Sequence, residues 1–289
     1  MKITLYILIL FFFNLIYPQY NKNNDSIIIW DENRPLTWND FKNKKNDLNI
    51  KGEAGALSAS VKVKLQYDSS KNTVIYEIFA VAYPNISWSV VKYEDNYGLE
   101  HEQLHFDIVK LFSIKMEKEF KKYDNINDYR RIYDSIINVL NKTQDQYDKE
   151  TAHSILAFNQ KMWEFKIRKA LQKYGYYKPK FDTLKCKKFH NGKFKYLFEN
   201  DTVFIERKDS IQFVTYKQSG LKLKQKIKWL SNCAYLAYHT DYIYLPEYTN
   251  KFPDEKILVK IVGIKNNVFN VEYVSDKYNK IYLLDIHKL

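Results

Sequence analysis

From Leu184 to the C-terminus the chain is a succession of eight strand-length apolar runs, at residues 194–198, 202–206, 211–217, 221–230, 234–239, 257–264, 268–274 and 281–286. Turn residues separate them and no helical period intervenes, so they predict a small all-β antiparallel barrel or sandwich. A linker, Lys178-Pro179-Lys180-Phe181, marks off this part from what precedes it.

Upstream both periods occur. Val61, Val63 and Leu65 alternate with Lys62, Lys64 and Gln66, the pattern of a half-buried strand. Asp68-Ser69-Ser70-Lys71-Asn72 reads as a hairpin turn, with a second strand at 74–82 and further β character at 85–91. A short β-like run at 26–30 precedes Arg34-Pro35-Leu36-Thr37-Trp38-Asn39-Asp40-Phe41, a turn leading into a short helical turn. From 96 to 122 the apolar spacing of Leu104, Ile108, Leu111 and Phe112 predicts a helix. A second is expected over 127–140. A third opens at Thr143, where Thr143-x-x-Gln146 has capping-box form, and runs to about residue 173 before Gly175.

The first nineteen residues read as an export signal: Lys2, then an apolar run over 3–16, then the polar Asn21-Lys22-Asn23-Asn24. The run is shorter than the roughly 20 residues of a membrane-spanning helix, so a cleaved signal and no transmembrane anchor are expected. The expected organisation is therefore a signal at 1–19, an α+β domain at 20–178 and a β-rich accessory domain at 179–289, in a secreted or periplasmic protein. Cys186 and Cys233 both fall in the C-terminal part, as one disulfide or as two buried thiols. With 45% apolar residues, a wholly disordered chain is excluded. The formal charge of +12 is densest after Lys161, mixed with aromatics. No nucleic-acid motif accompanies it and no nucleic-acid partner is expected; a lysine-rich solvated face, or contact with a cell surface or anionic polymer, accounts for it.

The chemistry is concentrated in His101-Glu102-Gln103-Leu104-His105. On a helix, residues four apart share a face, so both imidazoles can grip one Zn²⁺. Glu102, about 100° round, is poorly placed as a ligand but can take a proton from an attacking water, the division of labour that makes H-E-x-x-H a hydrolase motif. A catalytic zinc wants three protein ligands and an open position. The other histidines are His153, His190, His239 and His287. Read on a helix, His153 shares a largely apolar face with Leu156, Gln160, Trp163 and Ile167, which points it inward as third ligand. Glu150 is the rival, Asp148 is less favourably placed, and Asp107 points away from the histidine face. Pro84-Asn85-Ile86-Ser87-Trp88-Ser89 reads as an edge strand able to bind an extended substrate, or as an ordinary buried strand.

These elements resemble a family. Trp30 with 34–41, Ser87-Trp88, His101 to Ile108, and Tyr147-Asp148-x-Glu150-Thr151-x-His153 followed by Gln160 and Trp163 are similar, over residues 25–175, to bacterial secreted proteins grouped as domain of unknown function 922 and described as zinc-dependent proteases. The family has Gly where this chain has Ser154. The resemblance implies a zincin-like metallopeptidase domain centred on His101, Glu102, His105 and His153. Around Cys186 and Cys233 the chain resembles a small β module of other exported bacterial proteins. The expected activity is a zinc metallopeptidase acting on peptide or protein; a zinc amidase of cell-wall peptides and a non-catalytic exported binding protein with structural zinc are the alternatives.

Overall fold

The computed structural model describes residues 27–46, 54–71, 73–247 and 255–289; the expected export signal lies outside them. Contacts divide the chain into two compact units, Met1–Ser154 with Lys166–Tyr177, and Ile155–Phe165 with Lys178–Leu289.

In the first unit the strands are β1 (Ile28–Ile29), β2 (Asn43–Lys45), β3 (Gly55–Ala56), β4 (Ala59–Asp68), β5 (Thr73–Ala82) and β6 (Trp88–Val90). The alternation at 61–66 becomes a long antiparallel hairpin, in register from Asp68↔Thr73 to Ala59↔Ala82, and β1 extends it beyond β5. A separate sheet has the order β2-β6-β3, with β2 parallel and β3 antiparallel to β6. Of the two readings of the run at 84–89, an edge strand or an ordinary buried one, the structure has the second for its strand part: β6 is central, and β2 and β3 are the edges.

Helix α1 (Asn96–Phe120) starts where Asp95 accepts the Gly98 N–H at 2.6 Å. It buries Leu104, Phe106, Ile108, Leu111, Phe112, Met116 and Phe120 and packs on β4, β5 and α2. Helix α2 (Ile126–Thr151) is capped by Asn125 and is continuous through the expected break at 141–142. Thr143 starts nothing: its hydroxyl donates to the Val139 carbonyl within the helix. The helix stops instead at a run of left-handed residues, Ala152, His153 and Ser154, before α3 (Ala157–Gln172).

In the second unit β7 (Gly192–Phe198), β8 (Asp201–Lys208), β9 (Ile211–Tyr216), β10 (Lys222–Ser231), β11 (Ala234–Tyr244), β12 (Lys256–Lys265), β13 (Val268–Ser275) and β14 (Ile281–Lys288) form a closed antiparallel barrel. Each strand pairs with its sequence neighbours, and β14 returns to β7 through His287↔Lys195 and Lys288↔Phe194. Eight strands enclose an interior that side chains can fill: Phe194, Val203, Ile205, Val214, Tyr235, Val259, Phe269 and Ile286 meet there. Arg207 is buried among them. Its guanidinium donates to Gln212, Tyr235 and the Phe189 carbonyl, against the rings of Phe189 and Tyr235, which offsets the cost of a buried cation. A 3-10 segment, Thr183–Phe189, adds Cys186 and Phe189 to this core. Cys186 is disulfide-bonded to Cys233 beside the β10–β11 turn.

The expected class, an α+β zincin-like domain with a small β module, is overturned. The described chain is mostly β, the barrel of eight strands is its largest element, and three α-helices accompany fourteen strands. The reason is pairing. The upstream strands do not join into one sheet behind the motif helix but split into two three-stranded sheets.

Candidate metal centre

The two motif histidines project from the same side of α1, and the α2 face bearing Leu140, Gln144, Tyr147, Asp148 and Thr151 meets them. Their metal-capable atoms converge. His105 Nε2 lies 2.8 Å and His101 Nε2 3.1 Å from Asp148 Oδ1, and the two Nε2 atoms are 3.2 Å apart. Tetrahedral zinc with bonds of about 2.0–2.1 Å requires ligand-to-ligand edges of about 3.3 Å. The observed edges fall just inside that value, so two imidazoles and a carboxylate fit a zinc-sized cation with little movement. The three residues line a pocket of about 150 Å³ together with Ala54–Leu57, Gly98, Glu102, His153 and Ser154.

Neighbouring groups fix these side chains. Gln144 Oε1 lies 2.7 Å from His105 Nδ1, and Gln144 Nε2 donates to the His105 carbonyl at 3.1 Å. With Nδ1–H engaged there, Nε2 is the nitrogen left for a metal. Tyr147 stacks on His101 at 4.6 Å and meets His105 edge-on at 4.8 Å. Glu102 is buried beside the cluster, and its Oε2 accepts the Leu57 N–H at 2.7 Å. Burial alone would raise the Asp148 pKa, but hydrogen bonds from His101 and His105 outweigh it and hold the carboxyl far below the ordinary range. Burial likewise disfavours a charged His105, yet its bond to Asp148 and the charge of Glu102 raise its pKa.

The structure thus brings together His101, His105 and Glu102, with Asp148 in the place expected for His153 or Glu150. Glu150 is on the exposed side of α2, accepting from Gln146 at 2.7 Å. His153 is not on a helix. It sits in the left-handed turn at the pocket rim, 52% exposed, with Nδ1 3.9 Å from Asp148 Oδ1. Asp107 is buried away from the site, where its Oδ1 accepts from Trp30, Gln103 and Tyr177 at 2.9, 2.9 and 2.7 Å. Asp148 ranks below His153 and Glu150 when its helix is read as beginning at Thr143 and continuing past His153. The available signal was the three- and four-residue spacing of Leu140, Gln144, Tyr147, Asp148 and Thr151, which becomes one face once α2 is read as a single helix ending at Thr151.

No family model, curated protein or solved structure matches the chain; the reading of the site therefore rests on its residues and their geometry.

Proposed function

We propose that the chain is an exported zinc-dependent hydrolase, a peptidase, in which His101, His105 and Asp148 hold the metal and Glu102 is the general base. The observation that carries this reading is the convergence of the three ligand atoms in an open pocket, with a buried carboxylate from the same helix beside them. Zinc, when bound, supplies Lewis acidity that eases both deprotonation of a water and polarisation of a carbonyl. Glu102 accepts the water's proton and returns it to the leaving amine, and the Leu57 N–H orients its carboxylate for that task. Gln144 and Tyr147 hold the imidazoles. A peptide substrate is supported by β3: it is an edge strand of its sheet, and Ala54–Leu57 line the pocket. An extended backbone laid along that edge runs past Glu102.

One observation favours a second reading, an exported binding protein in which the metal only stabilises the fold: the Glu102 carboxylate is already engaged by a backbone amide. Glu102→Gln separates the two, because the amide oxygen keeps the Leu57 bond and loses the base. Peptide hydrolysis by the zinc-reconstituted protein is expected to fall by about 10²–10⁴-fold with bound zinc unchanged. Wild-type rates in this variant, or failure of the wild-type protein to take up one equivalent of zinc, sink the proposal.

A further inference from the structure

The barrel distributes its charge unevenly. On one side, β12, β13 and the first turns of α3 pair their ions: Lys161 with Glu164 and Glu272 at 3.0 and 3.5 Å, and Lys260 with Glu164 and Glu272 at 3.2 and 3.5 Å. The outer face of β7–β10 is different. The alternation of buried and exposed positions turns Lys193 and Lys195 outward on β7, Lys208 on β8, and Lys222, Lys224, Lys226 and Lys228 on β10. The outward carboxylate on these four strands is Glu206, 4.0 Å from Lys193; Asp241 on β11 reaches Lys224 at 3.6 Å. Seven lysines against two carboxylates leave a field that repels itself and attracts anions.

The lysines flank an apolar strip. The register places Ile211 opposite Lys226, Phe213 opposite Lys224 and Phe204 opposite Lys195. Phe213 is 42% and Leu197 66% exposed. Alternate residues on a strand are about 7 Å apart, and β7 and β10 lie about 14 Å apart across the sheet. Two basic rails therefore border apolar side chains on a wall that is convex because the barrel is closed. A linear polyanion is held best in a groove. Apolar side chains standing out between cations suit a bilayer instead, where they enter the interface and long lysines reach headgroup phosphates.

We infer that the outer face of β7–β10 docks the protein on an anionic lipid bilayer, a peripheral attachment independent of the metal centre. The test is co-sedimentation of the full chain with phosphatidylcholine vesicles, with and without phosphatidylglycerol. The apolar run at 3–16 is common to all variants and cannot account for a difference between them. Partitioning is expected only with phosphatidylglycerol and to weaken with salt. Joint replacement Lys224→Gln, Lys226→Gln, Lys228→Gln should lower it by about 100-fold, from roughly fivefold per lysine near an anionic surface. Phe213→Ser with Leu197→Ser should lower it about tenfold, and Lys256→Glu on the ion-paired side should change it little. Thermal unfolding checks that each variant is folded. The inference is overturned by equal binding to both vesicle types or by none. Unchanged binding of the lysine variant, or of the Phe213/Leu197 variant, also overturns it. So does capture by heparin or single-stranded DNA that phosphatidylglycerol vesicles cannot displace, which would assign the face to a polymer.

Discussion

Gln144 brackets His105 at both ends, with one amide atom on the ring and the other on the backbone carbonyl. Replacing it by Leu removes the acceptor that selects the tautomer, so zinc affinity measured by chelator competition should fall about 10–100-fold. Gln144→Glu, which keeps an acceptor, should lose less. Asp148→Asn should weaken zinc more than Gln144→Leu does, whereas Glu150→Ala should leave it unchanged; equal losses at 148 and 150 would reject the ligand assignment. Asp107 has a different office. Burial raises its pKa against the pull of Arg168, Tyr177, Gln103 and Trp30, and Arg168 Nε lies 3.5 Å from Oδ2. Asp107→Ala strands these donors and should cost about 3–5 kcal/mol in urea unfolding. At this scale the approach of His101, Glu102 and His105 to one another was legible because their relation is set by one turn of one helix. That of Asp148 was not, because a group 43 residues beyond His105 depends on where a second helix ends.

That end has no marker. Between Asn141 and Tyr174 the sequence contains no Gly or Pro, so a helical pattern reads straight through residues 152–156. The chain breaks there by putting Ala152, His153 and Ser154 at φ of 49°, 51° and 72°, with the His153 N–H returning to the Asp148 carbonyl. Each such residue costs about 1–2 kcal/mol relative to right-handed backbone. Ser154→Gly should therefore raise stability by about 1 kcal/mol, seen as a higher midpoint in urea. At the other end of the unit, Asp40 closes the turn at Trp38–Asp40. Burial would raise its pKa, but Arg34 and Thr37 outweigh that and lower it. A depressed carboxylate contributes stability above its unfolded pKa, near 3.8, and loses it as pH falls through the lower folded value. The stability gap between wild type and Asp40→Asn should accordingly be full at pH 6 and shrink on acidification below about pH 4.

Across the whole molecule, the β runs after Leu184 were legible because each strand's partner is the next strand along, and period two needs no distant information. The class of the chain was not legible, since how β1 to β6 sort into two sheets depends on tertiary pairing. The disulfide closes a loop of 47 residues within the barrel unit. Cys186→Ala with Cys233→Ala should lower that unit's stability by about 2–4 kcal/mol. Zinc affinity should be untouched, because His101, His105 and Asp148 belong to the other unit.

The barrel's meander also fixes its weakest line. Within the barrel every pairing joins sequence neighbours except β14 with β7, which is held by two register pairs and the Leu289 N–H to the Lys193 carbonyl. Hairpins form without long loop closure, so the ring should zip locally and shut last at this seam. Amide hydrogens of residues 286–289 should then exchange with deuterium sooner than those of β10 and β11.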